Sequence, residues 1–144
     1  MIPRLGRKTV LVSSEIHSTH VALSQRGYDI QIGRGLLDTL PSFLRGIGRS
    51  EHAVIITDAT VDELYADAVG DRLVEQDWQV HVLVVEPGEQ SKSIEVADDL
   101  WNTMLDEGAD RQSLVVAIGG GVVGDLAGFV AATFARGLDF VQAP

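Results

Sequence analysis

Cysteine is absent from the sequence, which excludes a disulfide framework and any thiolate metal site and suits a reducing compartment such as the cytoplasm. Basic residues are few: 11 Lys and Arg stand against 21 Asp and Glu, for a net charge of -10. Nucleic acid is therefore not an expected partner, because its binding needs phosphates neutralised by Lys and Arg. A long apolar N-terminal run is also lacking, since the stretch around Thr9 to Val12 is too short for a signal-peptide core. The most apolar region, residues 113–135, has the length of a bilayer span. Its clustered glycines and Asp125 fit a strand, a turn and a buried helix better, so no membrane association is expected.

What is present is unevenly charged. Residues 1–50 carry seven basic side chains against three acidic ones, residues 51–110 carry two against 16, and residues 111–144 carry two against two. The middle of the chain is thus a strongly anionic surface, and the few cations near it are informative. Lys92 and Arg136 both lie beside glycine-containing segments, where a phosphorylated ligand would need local positive charge. The alternative for Lys92 is a solvated pair with Glu89 or Glu95.

Residues 1–17 show no periodicity continuous with the rest of the chain and read as an extension or a misassigned start. The stretch HVALSQRGYDIQIG alternates apolar and polar residues on both sides of Gln25-Arg26-Gly27, the pattern of a hairpin. GLLDTLPSFLRGIG reads as a short helix interrupted near Pro41. From residue 52 the pattern becomes regular. The strand HAVIIT is followed by a capping box, Thr60-Val61-Asp62-Glu63, opening a helix with Val61, Leu64, Tyr65, Ala68, Val69 and Leu73 as its apolar residues. The strand QVHVLVVE precedes a helix with Ile94, Ala97, Trp101, Met104 and Leu105 on one face and Gly108 as its C-terminal cap. The strand SLVVAI, a glycine turn, a third helix and the strand LDFVQA complete the series.

Short apolar strands alternating with helices predict an α/β fold: a Rossmann-like parallel sheet with crossover helices, preceded by a β-hairpin, in one domain over residues 18–144. In such sheets ligands bind outside the carboxyl ends of the strands. Three segments should lie there: residues 57–60, 86–92 and 119–125. Gly119, Gly121 and Gly124 satisfy G-x-G-x-x-G between a strand and a helix, so that the backbone can approach a pyrophosphate and the helix end offers N–H donors. Asp125 among these glycines suits a ribose or substrate hydroxyl, because a carboxylate in a buried turn needs a hydrogen-bonding partner. Tight helix packing through Gly124, Ala127, Gly128, Ala131 and Ala132 is the other reading, and the two are compatible. His17 and His20 read as a solvated pair, His52 and His81 lack ligand partners nearby in sequence, and Trp78 and Trp101 read as core or core edge.

The run Gly119-Gly120-Gly121-Val122-Val123-Gly124-Asp125-Leu126-Ala127-Gly128-Phe129 continues through Ala131-Ala132-Thr133-Phe134 and Arg136-Gly137 to Val141-Gln142-Ala143-Pro144. It resembles the cofactor loop of the 3-dehydroquinate synthase family. Gly88-Glu89-Gln90-x-Lys92 is similar to that family's second motif, and Ile32-Gly33-x-Gly35-Leu36-Leu37 also fits. The resemblance runs from about residue 20 to the end. It implies a dehydroquinate-synthase-like N-terminal domain of an enzyme that uses NAD and a divalent metal, zinc or cobalt. That enzyme converts the sugar phosphate 3-deoxy-D-arabino-heptulosonate 7-phosphate into 3-dehydroquinate and phosphate in the shikimate pathway. By the same resemblance, Asp58, Glu89, Lys92, Gly121, Val122, Val123, Gly124 and Asp125 would hold NAD. Arg136 would reach the substrate phosphate, a contact that a homodimer interface could supply.

This sequence departs from the family's pattern at Pro87, where an aspartate commonly begins the second motif, and at Ala143, which replaces a common valine. The family's metal ligands, a glutamate and two histidines, belong to a helical domain outside this sequence, so no metal site is expected within it and the chain alone is expected to be inactive. The alternatives are a related sugar-phosphate cyclase and, in a different class, a non-catalytic nucleotide-binding module or truncated product. Glycerol-dehydrogenase-like enzymes are more distant, since their glycine motif usually continues with a serine where Val122 stands.

Overall fold

The computed structural model describes residues 15–23, 27–47 and 50–144. The chain divides into two compact units, residues 1–36 and 37–144. Residues 1–14, most of the expected extension, and Gln25-Arg26 of the expected turn lie outside the described residues. In the first unit the alternating segments pair as anticipated. Strands β1 (His17–Val21) and β2 (Tyr28–Ile32) are antiparallel, with His17 opposite Ile32 and Val21 opposite Tyr28. His20 and Asp29 face one another across the ribbon, with Nδ1 and Oδ1 2.7 Å apart.

The second unit is a four-stranded parallel sheet. Its strands are β3 (His52–Asp58), β4 (Gln79–Val85), β5 (Leu114–Ile118) and β6 (Asp139–Ala143), in the spatial order β4-β3-β5-β6. The connection after β3 steps to one side and the connection after β4 steps back over it, so winding reverses between β3 and β5. Helices α4 (Ile94–Asp106) and α5 (Gly121–Thr133) cover one face, where Ala97, Leu100, Met104, Val123, Ala127 and Val130 pack with Val54, Ile56, Val115 and Ala117. Helices α1 (Leu36–Ile47) and α3 (Asp67–Val74) cover the other, where Leu40, Leu44, Val69 and Leu73 meet Ala53, Ile55, Leu114 and Val116. Alternate residues of β3 and β5 thus enter opposite cores, which is why these two strands read as continuous apolar runs.

Three local expectations change. Helix α1 is not interrupted at Pro41 but runs through it. Proline removes one backbone donor, yet burial of Leu40, Pro41 and Leu44 on a single face outweighs that loss. The helix after β3 begins earlier than the Thr60 capping box: Asp58 is the N-cap, and its Oδ1 accepts from the amides of Thr60 at 2.9 Å and Val61 at 3.1 Å. That helix is also not regular. A first turn, α2 (Ala59–Val61), passes into a π-helical turn over Asp62–Ala66 before α3. The wider turn rotates the following face, so Ala66, Val69, Gly70 and Leu73 are buried while Leu64, Tyr65 and Ala68 are exposed.

Helix α4 ends as its sequence indicates. Gly108 has a φ of +77°, its amide bonds to Leu105, and the Ala109 amide reaches back to Met104. Ile94 and Leu105, however, stand outside the buried Ala97-Leu100-Met104 stripe. Trp78 is buried and Trp101 half-buried against Phe129. No helix is long and apolar enough to cross a membrane among the described residues.

Candidate functional site

The carboxyl ends of β3 and β5 are adjacent at the point where winding reverses, the crevice that open parallel sheets offer to ligands. Three loops leave the sheet at this edge, and they contain the three segments anticipated from sequence. At the end of β3, Asp58 is half-buried and commits one carboxylate oxygen to capping α2. Its effect on any ligand therefore includes the helix it holds in place.

At the end of β5 the chain turns through Gly119, with φ +154°, and Gly120 into α5. The glycines here have different reasons. A Cβ on Gly119 would meet Val123 at 2.9 Å, and one on Gly124 would meet the Gln142 side chain at 2.3 Å, so packing within the fold accounts for both. At Gly120 and Gly121 a Cβ would meet nothing within 4 Å. Their φ values are ordinary, so nothing inside the chain calls for glycine there; an outside molecule approaching the backbone would. The first internal bond of this turn into α5 runs from the Gly124 amide to the Gly120 carbonyl at 3.0 Å, which leaves the preceding helical amides directed out of the helix end.

The loop after β4 supplies the charges. Gly88, with φ +113°, precedes a short 3-10 turn over Glu89–Ser91, and the Gln90 amide side chain donates to the Pro87 carbonyl at 2.7 Å. Lys92 then points across to α5, its Nζ 2.8 Å from Oδ2 of Asp125 and 3.2 Å from Oε2 of Glu89. Of the two carboxylates offered by the sequence for a surface pair, Lys92 takes Glu89, and it reaches Asp125 besides. Donation to Asp125 first and Glu89 second raises the lysine pKa above its ordinary value. The reading of Asp125 as a buried carboxylate is corrected as well. Its side chain is 71% exposed, because the first turn of α5 projects it outward at the sheet edge, and its partner is Lys92.

Beside this ion cluster a shallow cleft of about 280 Å³ is lined by Lys92, Ser93, Ile94, Asp125, Leu126 and Phe129. Ser93, not among the residues anticipated from sequence, caps α4 with its Oγ accepting from the Val96 amide, and a serine directly ahead of an apolar helical pattern is the signal that marks it. Phe129 ends the glycine-rich run quoted from the sequence, but only the direction in which α5 faces places it in this cleft.

Arg136 is not brought to this edge. Helix α5 runs back along the sheet for 13 residues, about 20 Å. Arg136 therefore lies near the start of β6, where Asp139 pairs with Leu114 at the amino end of β5. Ala135, Arg136 and Gly137 all have positive φ, at 47°, 76° and 108°, so an exposed arginine is presented on a strained turn. At that same edge His52 and His81 meet, with ring centroids 5.3 Å apart. His52 Nδ1 lies 3.0 Å from Ser113 Oγ, and His81 Nδ1 lies 2.9 Å from Glu107. Burial, then the neighbouring His81, lowers the His52 pKa, against a smaller opposing pull from Asp110. No group of three or more His, Asp or Glu among the described residues could hold a metal ion.

The family model described as 3-dehydroquinate synthase N-terminal matches residues 82–144. A 3-dehydroquinate synthase of Rhodopirellula baltica is 42% identical over 139 residues, covering 92% of this chain and 37% of its own length. One from Enterococcus faecalis is 41% identical over 124 residues, covering 86% and 35%. The fold is similar to that of 2-deoxy-scyllo-inosose synthase, solved with carbaglucose-6-phosphate, NAD+ and Co2+ (TM-score 0.77, 25% identity, 89% of this chain and 34% of that one). It is also similar to 2-epi-5-epi-valiolone synthase from Streptomyces hygroscopicus, solved with NAD+ and Zn2+ (TM-score 0.69, 28% identity, 86% and 34%). The chain spans about a third of the length of these relatives.

Proposed function

Since the chain belongs to the 3-dehydroquinate synthase family and matches its N-terminal part, we propose that residues 18–144, together with His17, which opens β1 rather than closing the expected extension, are the NAD-binding portion of a cytoplasmic 3-dehydroquinate synthase. The observation that carries this reading is the pairing of unobstructed glycine backbone at Gly120 and Gly121 with the Glu89-Lys92-Asp125 cluster from a neighbouring loop. Anionic phosphates suit the outward amides at the start of α5, and the carboxylates of Glu89 and Asp125 accept from ribose hydroxyls. Lys92 holds these two carboxylates together and offsets their charge.

When bound, NAD would supply an acceptor for hydride from the carbon that bears a substrate hydroxyl, the hydroxyl losing its proton as the carbonyl forms, and would return the hydride within the same turnover. This chain's part is to bind and orient that cofactor at the β3-β5 crevice, with Asp58 keeping α2 in place at its rim. The described residues do not fit a divalent metal, and no step here is assigned to one. The family reaction, release of phosphate from 3-deoxy-D-arabino-heptulosonate 7-phosphate, then requires the remainder of the family's length, and the chain alone is inactive. Arg136, at the opposite sheet edge, contacts a substrate phosphate only from a second copy, which is the reason for proposing a homodimer.

Calorimetric titration of the chain with NAD and with zinc tests the binding reading. NAD binding without tight zinc binding is expected, and zinc binding without NAD binding overturns it. A phosphate-release assay on the chain joined to the rest of a family member tests the reaction. Turnover of a different sugar phosphate, with none of this substrate, reassigns the protein to a sister cyclase.

A further inference from the structure

Three polar side chains are buried among the described residues: Thr57, Ser91 and Ser113. Two of them lie at the carboxyl edge, one bonded at the start of the loop after β5 and one at the start of the loop after β4. Thr57 is fully buried at the end of β3, and its Oγ1 donates to the carbonyl of Ile118 at 2.8 Å, across the last paired rung between β3 and β5. Ile118 is the final residue of β5 and immediately precedes Gly119, where the backbone takes its positive φ. Ser91 is 3% exposed, and its Oγ donates to the carbonyl of Glu86, the first residue beyond β4 and two before Gly88, the other positive-φ glycine of this edge.

We propose that Thr57 and Ser91 are positioning residues for the dinucleotide. Each hydroxyl anchors a carbonyl just ahead of a glycine hinge and thereby sets the direction in which the following loop leaves the sheet. The first anchor orients the Gly119–Gly121 turn and the amides at the start of α5. The second orients the turn that delivers Glu89 and Lys92 to Asp125. Neither hydroxyl is itself placed to touch a ligand, since both are buried against backbone. A hydrogen bond from a side chain serves this purpose because glycine hinges lack the steric preference that would otherwise hold one loop path.

This inference rests on the proposed NAD reading, but its first test needs no ligand. In the ligand-free chain, Thr57→Val keeps the side-chain shape and removes the donor, and Ser91→Ala removes the other. Amide resonances of Gly119–Gly121 should shift in the first variant and those of Gly88–Lys92 in the second. NAD titration should then show affinity reduced about tenfold or more in each, as misplacement of binding groups entails, with Thr57→Ser restoring it. Ser113, buried at the opposite edge and bonded to the Asp110 amide, is the control. Ser113→Ala should lower the melting temperature and leave NAD affinity unchanged. If Thr57→Val and Ser91→Ala lower melting as Ser113→Ala does but leave NAD affinity intact, the positioning role is wrong. If the unsubstituted chain binds no NAD, the dinucleotide reading fails, and unshifted loop resonances would separately overturn the anchoring. Should Thr57→Val not fold, Ser91→Ala, which lies outside the sheet, decides the question on both readouts.

Discussion

The ammonium of Lys92 lies 2.8 Å from a carboxylate oxygen of Asp125, joining the loop after β4 to the first turn of α5. Both side chains face solvent and neither holds the core together, so the pair bears on binding more than on folding. Asp125→Ala should therefore leave the melting temperature nearly unchanged while weakening NAD binding. Thermal melts and calorimetry on one preparation check this, and a sharp fall in melting with an unaltered dissociation constant would make Asp125 structural.

Asp58 is expected to behave differently, because its carboxylate accepts from Thr60 and Val61. Asp58→Ala should cost about 1 kcal/mol of stability through the lost cap. Asp58→Ser keeps an acceptor for the same amides and should recover most of that stability. Any NAD affinity still missing in Asp58→Ser then reports the charge, and denaturant unfolding of the two variants separates the roles.

The glycines divide into those that packing explains and those that it does not. Gly119→Ala should destabilise the chain by about 1–3 kcal/mol, since a side chain there faces both positive φ and Val123. Gly121→Ala should melt at or slightly above the unsubstituted chain, because the space around it is open and alanine favours helix. Its NAD affinity should nevertheless fall. Normal NAD binding in a well-folded Gly121→Ala chain would show that no ligand approaches that backbone.

The histidine pair predicts an acid limit. The His52 pKa is lowered from 6.5 in the fold, chiefly by burial and then by His81. At low pH the unfolded chain therefore binds a proton that the folded chain resists, so this contribution is complete above pH 6.5 and declines as pH falls below it. The melting temperature should drop between neutral and mildly acidic buffer, and His52→Asn should flatten that drop. Identical pH profiles for the two proteins would remove His52 from the explanation.

Alternating strands and helices, the glycine turn and Gly108 as a helix end were all legible in the sequence, because periodicity and capping are properties of neighbouring residues. The motif residues at the carboxyl edge came from the same logic, since a strand entering a helix must turn there. Tertiary structure alone decided which strands are adjacent, and so brought Thr57 beside Ile118, Lys92 onto Asp125 and His52 against His81 while sending Arg136 to the far edge. Those pairings join segments distant along the chain, and local patterns carry no information about the order in which strands assemble. The π-helical turn at Asp62–Ala66 is of the same kind. Its wider hydrogen bonding has no compositional signature, and with it Ala66, Val69 and Leu73 are the residues buried on the sheet.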